Sequence, residues 1–315
     1  MSYYIGIDLG GTFIKFGAVD GSGSILKKDK IPTPLGCDYG ATVSAIAKAV
    51  KGMIADMGMP ESVGIGCPGV IDGEHGMVVT GGNLGWENKP LAQDLGERLG
   101  LPVALCNDAN AAAYGEYACG AGKAYKSIVL ITLGTGVGSG VIFGGKLFTG
   151  ELGAGAELGH EVIRMDGEAC ACGRRGCFEA YASASALVRQ TRNAMTCHPE
   201  SRMWELCKGS ADNADGRTAF DGMRRGDKTA KAVVERYLNY LAEGIANIAN
   251  VFRPQTVLIG GGISAEGEAL TLPLQEMVDT KILGRGRYAP VTIKAASLGN
   301  DAGLVGVAML AKEIK

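Results

Sequence analysis

Four residues in the segment GHEVIRMDGEACACGRRGCFEA combine side chains and spacing suited to a metal ion: His160, Cys170, Cys172 and Cys177. Gly173 and Gly176 supply the sharp turns that bring three thiolates onto one ion. A Cys₃His set offers four protein ligands, so it is closed and predicts structural zinc rather than an open Lewis-acid centre. Two carboxylates bracket it, Glu157 before the histidine and Glu179 after the last cysteine. The chain has only 3 histidines, so one placed at metal spacing between two acids points toward function. With one ring nitrogen on the ion, the other nitrogen of His160 needs a partner, and a ligand hydroxyl would serve.

A second kind of chemistry lies in three glycine loops, each after an apolar run. They are Gly10, Gly11 and Thr12 with Lys15; Gly134, Thr135 and Gly136; and Gly260, Gly261 and Gly262. Backbone N–H groups in such turns converge on anions, and glycine lets the backbone come close. A plain hairpin turn would account for any one of them; three in one chain, two after matching strands, favour a bound phosphate. Asn107 and Asp108 stand where a strand pattern, PVALCN, meets an alanine-rich helix. An acid there can cap the helix. It can also be a base at the carboxyl end of a strand, where ligands of α/β sheets gather and where phosphoryl transfer to an alcohol needs a proton acceptor.

Two of the common nucleotide signatures can be tested directly. No G-x-x-x-x-G-K-[ST] occurs, which excludes a P-loop. A G-x-G-x-x-G does occur at Gly64–Gly69, but VIDGEHG follows it without helical spacing, so the dinucleotide reading fails and only a tight turn at Pro68-Gly69 remains.

The elements that must position these residues follow from periodicity. YYIGIDL and FIKFGAV read as a hairpin around GGT, residues 38–57 as an amphipathic helix, SVGIGC as a strand and 90–99 as a short helix. A second hairpin, SIVLITLGTGVGSGVIF, has the shape of the first, with Asp8 matched to Thr132; this offset hints at a duplicated domain. A helix is expected from about 180, a long one over 227–252 ending at Arg253-Pro254, a strand in QTVLIGGG, a further strand in VTIKAAS and a final helix in AGLVGVAMLAKEI. Residues 198–216 lack periodicity and read as a surface excursion. The break between halves is placed in CGAGKAYK, at 119–126.

Composition bounds the function. The 315 residues suffice for two domains, and a net charge of −2 without basic runs argues against nucleic acid. No apolar stretch suggests a membrane span, and the start runs straight into a strand pattern with no leader expected, so a cytoplasmic protein is the expectation. The 9 cysteines are odd in number and irregularly spaced, which predicts a reducing compartment with Cys37, Cys67, Cys106, Cys119, Cys197 and Cys207 as small buried hydrophobes. The 50 glycines are clustered, which predicts loops where backbone approaches a ligand.

These motifs together resemble the ROK family of bacterial sugar kinases, repressors and uncharacterised reading frames, in particular its glucokinases, over residues 4–312. The zinc stretch carries the most specific likeness, Gly159-His160 followed by CACGRRGCFE; DLGGT, GIGCPGVID, NDANAAAYGE and LGTG also match. The resemblance implies an α/β fold of two ribonuclease-H-like, actin- and hexokinase-like lobes, 1–119 with the last helix from 302 and 120–301, with ATP and sugar in a cleft between them. It implies Asp108 as catalytic base, and sugar contacts at Asn83, Asn107, Asp108, Glu157, His160 and Glu179. ATP and Mg²⁺ would lie against Asp8, Gly10, Gly11, Thr12, Lys15, Gly134, Thr135, Gly136 and Gly260–Gly262, and zinc would order the loop between Glu157 and Glu179. A hexose 6-kinase follows, with glucose expected first and mannose, allose or an N-acyl hexosamine as rivals, and a homodimer by analogy. The family's repressors carry a DNA-binding module ahead of the first phosphate motif; here the first strand pattern begins by residue 4, so an enzyme is expected.

Overall fold

The structure is a computed structural model and describes residues 2–314. The chain divides into two compact units: residues up to Leu130, Gly140–Ala156 and from Ser297 on, and Ile131–Ser139 with Glu157–Ala296.

The first unit opens with β1 (Tyr3–Leu9) and β2 (Phe13–Asp20), an antiparallel hairpin whose register sets Asp8 opposite Lys15. β3 (Ile25–Pro32) pairs with β2. It is largely exposed and carries three lysines, the charge that keeps a sheet edge from pairing with other chains. The Asp38 side chain caps α1 (Tyr39–Met57), which buries Val43, Ile46, Val50 and Met53 on one stripe. β4 (Val63–Cys67) lies parallel to β1, and β5 (Val70–Asp72), β6 (Met77–Thr80) and β7 (Glu87–Lys89) form a small separate sheet. After α2 (Leu91–Leu99), β8 (Val103–Asn107) adds parallel to β4, giving the order β3-β2-β1-β4-β8, and α3 (Asp108–Cys119) leaves its end.

The second sheet repeats this order. β9 (Ile128–Leu133), β10 (Val137–Phe143) and β11 (Lys146–Phe148) come first in sequence, β12 (Thr256–Gly261) and β13 (Thr292–Ala295) last, in the order β11-β10-β9-β12-β13. The hairpin-plus-two arrangement thus occurs twice, as the Asp8–Thr132 offset implied. Between β11 and β12 come α4 (Glu179–Ala182), α5 (Ala184–Cys197), α6 (Met203–Leu206), α7 (Thr218–Arg224) and α8 (Lys228–Phe252); α9 (Glu268–Lys281) precedes β13. Phe178, Phe220 and Tyr237 are fully buried in the second unit, and the Tyr237 hydroxyl donates to Ala182 O at 2.8 Å.

The chain ends in α10 (Ala302–Lys312), packed on β1, β4 and α3 within the first unit. The contact is backbone to backbone: a Cβ on Gly6 would stand 2.1 Å from Leu304 O, and one on Gly64 1.9 Å from Val307 O. This corrects the expectation that clustered glycines mark ligand loops, because these two are spaces for a helix. The first glycine of the G-x-G-x-x-G is one of them.

Two further expectations are corrected. Residues 198–216 are not a bare surface excursion; they fold as α6 and a 3-10 turn at Ala211–Asn213, anchored by buried Met203, Cys207 and Ala214. Each of these elements is about one turn long, too short for a helical period to show in the sequence. Cysteines 67, 106 and 207 are buried as expected and 37 and 119 half-buried, but Cys197 is exposed because it ends α5 on the solvent side. All nine are free. Among the described residues no helix is long and apolar enough to cross a membrane.

Candidate active site

In the first unit the sheet order brings the carboxyl ends of β1, β4 and β8 side by side, and the candidate residues sit at those ends. Asn107 is the cap of α3: its Oδ1 accepts from Ala109 N at 2.9 Å and Asn110 N at 3.1 Å, while its Nδ2 donates to Gly69 O at 3.0 Å. The capping role therefore falls to Asn107, which frees Asp108 for another. Asp108 is the first helical residue, open to solvent, with Oδ1 accepting from Ala109 N at 2.9 Å. The density of protein around it pushes its carboxyl above the ordinary Asp range, and the Asp8 carboxylate adds to the rise. Backbone N–H groups and the Asn107 side chain offset part of it. A raised carboxylate accepts a proton more readily, the property a general base needs.

Asp8 itself is held by Lys15, Nζ to Oδ2 2.9 Å, across the β1–β2 register. The turn between them is tight, with Gly10 N donating to Phe13 O at 3.0 Å, and Gly11 and Thr12 exposed. Gly69, which receives the Asn107 amide, lies against the turn containing Asn83: a Cβ there would meet Thr80 O at 2.0 Å. The backbone of Asn83 is in the 3-10 turn Gly82–Leu84; its side chain lies outside the described residues.

In the second unit the four metal-spaced residues do converge. A tetrahedral zinc with bonds of about 2.3 Å to sulfur and about 2.0–2.1 Å to nitrogen separates its ligands by roughly 3.5–3.8 Å. Cys170 Sγ lies 3.6 Å from His160 Nδ1, Cys172 Sγ lies 3.6 Å from Cys177 Sγ, and the four ligand atoms all fall within 4.8 Å of one another. The donor set and its spacing fit zinc. A small β framework holds them, with bridges Val162–Cys177 and Ala169–Arg175. Burial raises the thiols of Cys170 and Cys177, whereas the Arg174 N–H aimed at Cys172 lowers that one; the Cys172 N–H aimed at Cys170 opposes the rise there. N–H groups turned toward sulfur favour thiolate, the form that binds metal.

Glu179 ties this cluster to the second glycine loop. One carboxylate oxygen accepts from Val137 N at 3.0 Å, and the other lies 3.5 Å from Cys170 Sγ. A Cβ on Gly136 would be 2.3 Å from the same carboxylate, which explains the glycine. Glu157 precedes the turn Leu158–His160 and is exposed, and the ring nitrogen of His160 that faces the thiols is Nδ1, leaving Nε2 for another partner. The second and third glycine loops also meet: Gly134, Thr135 and Gly262 line one cavity of about 560 Å³ with Ser185, Arg189 and Arg192. Gly261 has φ of +81° and passes Leu133 so closely that a Cβ would sit 2.3 Å from its carbonyl oxygen.

Sequence reasoning did not single out Arg189 and Arg192, both on α5. Arg192 Nε is buried without a hydrogen-bond partner, so a ligand acceptor in that cavity would satisfy it. Helical arginines are too common for the sequence to mark them. Glu161 was missed as well; burial pushes its carboxyl up to about 7 and leaves Oε1 unpartnered.

The fold and these groups define an α/β protein with a repeated sheet and a closed Cys₃His ligand set, and comparison places the chain more closely. Residues 4–314 match the model of the ROK family. The glucokinase of Streptomyces coelicolor is 40% identical, covering 99% of this chain and 98% of its own, and that of Thermotoga maritima is 42% identical, covering 98% and 97%. A crystal structure of a ROK family glucokinase from Streptomyces griseus in complex with glucose and AMPPNP superposes with a TM-score of 0.84 at 39% identity, covering 99% of this chain and 100% of that one. The chain belongs to the ROK family.

Proposed function

We propose that this protein is an ATP-dependent hexose kinase that phosphorylates the 6-hydroxyl of glucose. The observation that carries the reading is Asp108. It is a carboxylate relieved of capping duty by Asn107, raised by its surroundings and placed where a strand hands over to a helix. The likeness along the whole chain to a glucokinase solved with glucose and an ATP analogue supports it.

In this mechanism Asp108 accepts the proton of the sugar hydroxyl as that oxygen attacks the γ-phosphorus. The bond to the β,γ-bridging oxygen breaks, and ADP leaves with its electron pair. Glu157, Glu179 and the Nε2 of His160 orient the sugar, together with Asn83 and the remaining amide hydrogen of Asn107. A neutral polyol is recognised by such groups because a site built for its hydroxyls is left with unpaired polar atoms when an analogue lacks them. The GGT turn with Lys15, and the loops at 134–136 and 260–262, supply donors for the phosphates, with Arg192 beside the latter two. Mg²⁺ accompanies ATP and neutralises phosphate charge. Zinc on His160, Cys170, Cys172 and Cys177 holds the loop carrying Glu157 and Glu179 in a fixed geometry.

Asp108→Asn keeps the size of the side chain and removes the base. Turnover should fall by about 10²–10⁴-fold while glucose binding by calorimetry persists. Undiminished kcat would remove Asp108 from the role.

A further inference from the structure

The second unit also holds a cavity of about 740 Å³, larger than the one beside the glycine loops, between α5, α8 and the segment carrying Arg164 and Glu168. Its wall presents four cations, Arg164, Arg189, Lys228 and Arg236, against two carboxylates, Glu168 and Glu200. One of these carboxylates is already engaged: His198 Nδ1 lies 3.0 Å from Glu200 Oε1. The chain as a whole is slightly acidic, at −2, so this concentration of positive charge runs against its background.

The ordinary account of basic residues on helices is that acids one turn away neutralise them. That account fails at each helical cation here. Lys228 has Arg224, Arg225, Lys231 and Ala232 at those positions; Arg236 has Ala232, Val233, Asn239 and Tyr240; Arg189 has Ser185, Ala186, Arg192 and Asn193. Elsewhere on α8 the rule does hold, since Lys231 pairs with Glu235 at 3.7 Å. Among the described residues none of the four wall cations forms an ion pair. Ala232 between Lys228 and Arg236 leaves room between two charged arms, and the rings of Tyr181 and Tyr240, tilted at 43° with centroids 4.6 Å apart, form part of the wall. The volume is that of a small-molecule site.

We propose that this cavity binds a phosphate-bearing small molecule, its phosphate oxygens taken by Arg164, Arg189, Lys228 and Arg236. Planar guanidinium forks match phosphate oxygens in pairs, and a lysine adds a mobile charge. Arg189 and Asn193 also line the 560 Å³ cavity that holds the second and third glycine loops. On the reading of that cavity as the nucleotide pocket, an occupant of the basic cavity competes for Arg189 and so modulates nucleotide binding. The binding itself does not depend on that reading.

The exposed Cys197 lines the basic cavity and reports on it directly. Full-length protein is treated with iodoacetamide at fixed ionic strength, and alkylation of Cys197 is followed by mass spectrometry with and without inorganic tripolyphosphate. A sugar monophosphate (glucose 6-phosphate) is run in parallel. Tripolyphosphate should slow the reaction several-fold in the wild type, and the protection should disappear in Lys228→Ala/Arg236→Ala and weaken as salt rises. Stronger protection by glucose 6-phosphate would support the proposal with a sugar phosphate as the ligand. Absence of protection by either compound overturns it. So does equal protection in the double variant, or a Cys197 already unreactive in the free protein, as when a second copy covers the cavity. A catalytically inactive protein would still give the footprint, so failure of the kinase reading is seen separately.

Discussion

Asp108 and Asn107 divide two tasks that either could perform. An Asn at the cap satisfies the orphan N–H groups of α3 without a charge, and the acid one residue on keeps its carboxylate for a substrate. Because the protein packed around it and the Asp8 carboxylate raise the Asp108 pKa, the fold shifts its balance toward the protonated form. The active form is the deprotonated one, so log kcat should decline on the acid side from a pH above the ordinary Asp value of about 3.9. A pH–rate profile checks this, and Asp108→Glu should keep an acid limb that Asp108→Asn lacks. The sign for stability is the opposite of a salt-bridged acid: the raised pKa carries no penalty below the unfolded pKa and a penalty that grows as pH rises through the folded one. The Tm of Asp108→Asn at neutral pH should therefore not fall below that of the wild type, the effect being kept small by the side chain's access to water.

Among the elements, those with a long hydrophobic period or a strong boundary signal were legible in the sequence. α1 and α8 declared themselves by spacing, and the β8–α3 junction by its Asn-Asp pair. The convergence of His160, Cys170, Cys172 and Cys177 was legible because metal spacing is local. β3 was not, since an edge strand full of lysines has no buried face to alternate with. Nor were β5, β6 and β7, whose 3 or 4 residues are too few to show a period. Gly6 and Gly64 could not be separated from loop glycines, because what demands them is a helix some 240 residues or more further along the chain. Gly64→Ala tests that packing directly: it should cost about 1–3 kcal/mol in denaturant unfolding, since the new methyl must displace backbone of α10. The zinc loop gives a second test at this scale. Prolonged chelation should lower the Tm and weaken glucose binding together, since on the proposed reading a bound zinc would hold both the loop and the acids beside it. Sugar affinity that survived metal loss would make the cluster a clip with no part in reading the sugar.

At the scale of the whole molecule the organising fact is a repeated sheet order. The hairpin turn after β1 and that after β9 occupy the same place in the two copies, and both carry glycine with a threonine. The copies have diverged in what is attached to them. The first unit carries Asp108, Asn107 and the Asp8–Lys15 pair. The second carries the Cys₃His segment, Glu157, Glu179 and two glycine loops. The claim that these groups together phosphorylate a hexose is tested most directly by incubating the protein with ATP and each of glucose, mannose, allose and an N-acyl hexosamine. The product is identified by ³¹P NMR, and kcat/KM is measured for each sugar. The account predicts a 6-phosphate ester with glucose giving the highest kcat/KM; no ester with any sugar, or an N-acyl hexosamine ranked above glucose, would contradict it.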